Sequence, residues 1–173
     1  MDRLIMETNK ILFFLMLFIF TANALFAGIV GLKSHSDIWY FLEEYDKKHG
    51  TYWRYWFPIS TMIYSTLLVL FGIQFSEWAL CGLTLYYVAF APQFETIGAP
   101  KTSHFFGAGV AVVGSQIMLL SLGYWKLSVE FALLTILSLL LLNDKKKITY
   151  WLENWAFLSI AIAYFLKIYI NQN

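Results

Sequence analysis

Charge is what this chain has least of. Only 13% of its 173 residues are Asp, Glu, Lys or Arg, where a soluble domain carries about a quarter. That deficit, with a mean hydropathy of +0.62, excludes a surface turned mostly to water. Cysteine is nearly absent. The single Cys81 rules out a disulfide within the chain. It lies in an apolar run, as a small hydrophobe would. No C-x-x-C, H-E-x-x-H, P-loop or nucleophile-elbow pattern occurs, so no metal and no cofactor is called for. The net charge of +1 leaves no footprint for nucleic acid.

What remains is apolar and aromatic. Hydrophobic residues make up 60% of the chain. They gather into six runs of near-membrane length, at about 11–32, 56–74, 77–92, 104–123, 125–142 and 150–170. Backbone polar groups must be satisfied internally at that depth, so the runs are read as helices. The expected fold class is all-α: a single transmembrane domain of six helices over residues 1–173. The first run exceeds the apolar core of a signal peptide and no A-x-A site follows, so it is expected to be retained. Aromatic residues flank the runs, as in Trp53-Arg54-Tyr55-Trp56, Tyr124-Trp125 and Tyr150-Trp151. This is the composition of an interfacial belt.

Alternating the runs across a bilayer sorts the loops into two sides. The side with the first, third and fifth loops holds Lys33, Lys47, Lys48, Arg54, Lys101, Lys145, Lys146 and Lys147. The other holds Arg3, Lys10, Lys126 and Lys167. The positive-inside rule assigns the first side to the cytoplasm. In its first loop, Ile38, Phe41, Leu42 and Tyr45 recur at helical spacing, which predicts an amphipathic helix lying in the interface.

Ionisable groups next to hydrocarbon are costly and serve as functional hypotheses. His104 opens the fourth run. Glu153 and Asn154 fall in the expected first turn of the sixth. Both positions lie on the lysine-rich side, with Glu95, Lys101 and His49. The candidate catalytic residues are His104, Glu153 and Glu95; the candidate ligand-binding residues are Asn154, Lys101 and His49. A His–Glu pair can exchange protons or hold a ligand. The same residues could instead bond helices together, or Glu153 could cap its own helix N-terminus. Gly107, Ala108, Ala111 and Gly114 form a small-residue stripe that predicts close helix packing. Lys126 is expected to pair with Glu130, and Asn23 and Gln116 to bridge helices.

Two segments carry a resemblance. One is Phe94-Glu95, Pro100 and His104-Phe105-Phe106-Gly107-Ala108. The other is Tyr150-Trp151-Leu152-Glu153-Asn154-Trp155-Ala156-Phe157, running on to Tyr164-Phe165. Together they resemble the Frag/DRAM/Sfk family of six-helix membrane proteins. In that family a glutamate is followed directly by an aromatic residue, whereas here Asn154 intervenes. The resemblance implies lipid-linked roles: remodelling of GPI-anchor lipid, control of lipid asymmetry, or modulation of autophagy. It implies functional roles for Glu95, His104 and Glu153.

The leading expectation is therefore a multi-pass protein that handles or modifies membrane lipid at a headgroup-level site. A transport component and a non-catalytic scaffold are the alternatives. The expected partner is membrane lipid, with a second copy or another membrane protein as further options.

Overall fold

The computed structural model describes residues 3–92, 98–143 and 145–170. Among them the chain is all-helical, with no strand. The α-helices are α1 (Arg3–Val30), α2 (Asp37–His49), α3 (Trp56–Gly72), α4 (Leu85–Phe90), α5 (Ala99–Ser121), α6 (Trp125–Leu141) and α7 (Lys145–Tyr169). Short 3₁₀ segments, Trp53–Tyr55 and Glu77–Thr84, lead into α3 and α4. Three stretches are long and apolar enough to cross a membrane: Glu7–Val30, Trp53–Gly72 and Ala99–Ser121.

The packing follows from helical periodicity. Phe13, Met16, Phe20, Asn23 and Ala27 share one face of α1 and are all buried. Ile11, Phe14, Phe18, Leu25 and Ile29 cover the other face and are exposed, Ile29 at 85%. So large an apolar exterior marks a surface for lipid or for another apolar partner. The buried face of α1 meets Leu67, Leu68 and Phe71 of α3 and Phe157, Ile160 and Tyr164 of α7. Phe20 stacks face to face on Phe157 with ring centroids 3.6 Å apart.

The third apolar run is not one α-helix. Its first eight residues, Glu77–Thr84, are 3₁₀ and only then does α4 begin. The steeper rise of a 3₁₀ helix lets the whole Glu77–Phe90 segment cover roughly 25 Å. Side chains supply the partners that this geometry strains: Ser65 Oγ donates to the Gly82 carbonyl at 2.7 Å. Thr84 Oγ1 reaches the carbonyls of Cys81 and Gly107 at 2.7 and 2.9 Å.

The small-residue stripe of α5 divides between two tasks. Gly107 lies against the Thr84 carbonyl and Tyr87, and Gly114 against Cys81, so close that neither place has room for a Cβ. Ala108 and Ala111 face a cavity instead. By contrast α6 buries no residue and touches chiefly α7.

The finer sequence expectations meet different outcomes. Within α2, Ile38, Trp39 and Asp46 are buried against the protein, while Phe41 and Tyr45 of the expected stripe are 38% and 42% exposed, as a face turned to an interface would be. Packing on Phe57 and Ala27 draws Ile38 and Trp39 inward. Lys126 does not pair with Glu130; its ammonium sits 5.9 Å from the centre of the Trp125 ring. Gln116 Nε2 bonds Ser115 of its own helix at 3.1 Å rather than reaching another one. Asn23 does join helices, accepting from Trp56 Nε1 at 2.8 Å and donating to Ser60 Oγ at 3.0 Å.

Candidate functional site

The site begins with the six residues between α1 and α2. Gly31 turns the chain with a φ of 76°. Asp37 Oδ2 then accepts the Lys33 and Ser34 amides at 3.0 and 3.1 Å. Ser34 Oγ in turn accepts the Asp37 amide at 3.3 Å. This reciprocal exchange is the capping-box arrangement. It folds Ser34-His35-Ser36 under α2 and buries all three, at 6%, 6% and 2% exposure.

The buried turn ties two helices together. The His35 amide donates to Glu153 Oε2 at 2.9 Å. Ser36 Oγ meets His104 Nε2 at 2.9 Å, and His104 Nδ1 meets the Ala91 carbonyl at 2.9 Å. A carbonyl only accepts, so Nδ1 carries the hydrogen. Neutral His104 then receives the Ser36 hydroxyl proton at Nε2. His104 and Glu153 are thus linked through residues 35 and 36. His104 works as a cross-tie between α5, the end of α4 and this turn.

Glu153 lies well inside α7, which starts at Lys145. That is two turns beyond the N-terminus, out of reach of the free amides there. The expectation that it sits in the first turn, and the capping role that goes with it, are therefore corrected. Likewise His104 follows a full turn of α5, which begins at Ala99 with Pro100 just inside it. The lysine run and the Ala-Pro start extend both helices beyond their apolar stretches.

Glu153 and His35 line one end of a cavity of about 90 Å³. The rest of its wall is mostly apolar, including Phe20, Leu68, Ala111, Met118 and Ile160, with hydroxyl-bearing side chains at Tyr64 and Ser115. One water needs only roughly 10–15 Å³, so the space admits part of a larger molecule. The His35 ring packs between Phe20, at 4.8 Å, and Tyr150, at 5.6 Å. Its Nε2 has no hydrogen-bond partner among the described residues. Burial drives the His35 pKa down to about 4, against a smaller upward pull from the Asn154 side chain. The ring is therefore neutral at physiological pH. No lysine or arginine among the described residues lines the cavity.

The other candidate residues fall into distinct places. Asn154 donates to the Tyr150 carbonyl at 2.7 Å and supports the His35 ring from α7. Lys101 is exposed on the first turn of α5 and does not line the cavity. His49 is exposed at the end of α2, bonded to the Tyr45 carbonyl at 2.9 Å and stacked on the Tyr45 ring. Glu95 lies outside the described residues. Asn23 and Gln116 do not line the cavity. His35 was passed over in the sequence because it sits in a loop crowded with polar residues. The signal that marks it is Ser34-x-x-Asp37, a capping box ahead of an apolar helix.

No protein-family model, no curated protein and no solved structure matches this chain.

Proposed function

We propose that the chain is a six-span integral membrane protein that binds a lipid-like amphipath. The polar head of the ligand meets His35 and Glu153, and its hydrocarbon occupies the cavity between α3, α5 and α7. The remaining spans in this reading are the Glu77–Phe90 segment, α6 and α7. One observation carries it. A buried polar atom, His35 Nε2, has no partner and stands at the polar end of an otherwise mostly apolar cavity. Buried polar atoms are nearly always paired, and an exception calls for a partner. Ligand sites have this composition: mostly apolar walls with a few placed polar groups. The lipid-linked roles implied by the Frag/DRAM/Sfk resemblance point the same way. In this reading His104 and Ser36 hold the turn, and Glu153 and His35 meet the ligand.

The test is retention of lipid by the purified protein. The protein is extracted in a mild detergent and analysed by native mass spectrometry. Wild type is expected to keep about one chain-bearing lipid per protein. Ala111→Leu fills the cavity, so it releases that lipid and raises stability by about 1 kcal/mol. Equal retention by a correctly folded Ala111→Leu variant would overturn the proposal.

A further inference from the structure

The cavity's two ends differ in chemistry, and the difference narrows the ligand class. At one end are the Glu153 carboxylate and the unpartnered Nε2 of a His35 that is 6% exposed. Glu153 Oε2 already accepts the His35 amide, which holds the carboxylate in place at the cavity wall. Nothing cationic among the described residues faces this end. The nearby Lys33 and Lys101 are exposed. A phosphate there would be buried beside an acid with no counter-charge, an arrangement that desolvation opposes and any ionisation of Glu153 opposes further. A hydroxyl suits it well, since one O–H can donate to the carboxylate or to the imidazole and can also accept.

The shape sets the hydrocarbon. The wall runs along α5 from Ala108 to Met118, which is about 15 Å of helix. A volume of about 90 Å³ over that length is a narrow slot, with room for a few methylenes of one chain and none for a second chain. At the far end Trp78 lines the cavity while remaining 41% exposed. Trp78 therefore extends from the cavity wall to the outer surface at that end.

Resting on the lipid-binding reading above, we infer that the site takes a single-chain neutral lipid with a hydroxyl head and rejects phosphate heads. The hydroxyl lies between Glu153 and His35, and the chain runs toward Trp78.

Competition in detergent micelles tests this. Three probes of equal chain length are compared on the full-length protein: monoolein, oleoyl lysophosphatidate and oleate. Monoolein is expected to bind at least tenfold more tightly than either anion. Glu153→Gln removes the charge but keeps the shape, and is expected to shrink that preference to less than threefold. His35→Phe keeps the amide donor to Glu153 and is expected to weaken monoolein tenfold while leaving the protein monodisperse. Lysophosphatidate binding as tightly as monoolein would overturn the inference yet leave the lipid-binding proposal standing. If none of the three binds, both fail. Preference for monoolein unchanged in both variants would place the head elsewhere and also overturn it.

Discussion

Asp46 and Glu153 are two sheltered carboxylates with opposite circumstances. Asp46 is 5% exposed and both its oxygens are occupied. It accepts Thr51 Oγ1 at 2.6 Å and the Trp53 amide at 2.8 Å on one oxygen, and the Arg54 amide at 2.9 Å on the other. Desolvation pushes its pKa up, but those hydrogen bonds and the Arg54 charge outweigh it and hold the carboxyl below its ordinary value. Glu153 accepts the single amide of His35 and otherwise faces a cavity beside an unpartnered imidazole nitrogen. A saturated carboxylate builds structure. An unsaturated one at a cavity wall has capacity left for a ligand.

The largest stability effect should come from breaking the saturated site. Asp46→Ala strips three donors of their acceptor and frees the 51–54 turn that leads into α3. Among single changes in the loop after α1, it is expected to lower the melting temperature most, without altering the monoolein preference. A parallel change in lipid selectivity would erase the distinction between the two carboxylates.

Acid sharpens the comparison from the other side. His35 is held neutral when folded, with its pKa near 4 against an ordinary 6.5. The unfolded chain takes up the proton first, so stability contributed by the neutral ring is complete above pH 6.5. It is lost as pH falls from 6.5 to about 4 and changes no further below that. The loss is at most about 3 kcal/mol. His35→Phe cannot titrate, so thermal melts from pH 7 to 4 should show a shallower fall than wild type. Equal slopes would mean that the His35 ring is not sheltered in solution.

The smallest effect belongs to α6. Leu140 is 76% exposed on a helix that buries nothing. Leu140→Ala is expected to change stability by less than about 0.5 kcal/mol in a bilayer-like medium. A loss several times larger would show that a partner covers this face.

Much of the helical layout was legible because it depends on local chemistry. Apolar runs and the Trp/Tyr-rich flanks mark where helices stand and end. His104 and Glu153 were visible as ionisable residues in apolar surroundings. Their roles were not, since those depend on helix starts that the polar lysines and Ala99-Pro100 extend past the hydrophobic pattern. The 3₁₀ character of Glu77–Thr84 was also hidden. It depends on hydroxyls of Ser65 and Thr84 that bond its carbonyls from within the packed bundle.

By itself, the sequence determined that this chain is helical and apolar, because period and hydropathy act over a few residues. The alternation of its apolar runs also raised the expectation that residues 104 and 153 stand on one side of a bilayer. Only the tertiary structure decided that they meet through Ser36 and His35, and that His104 is a cross-tie while His35 faces the cavity. The reason is range. A hydrogen bond from residue 35 to residue 153 spans 118 positions, and a cavity exists only where helices distant in sequence fail to fill the space between them.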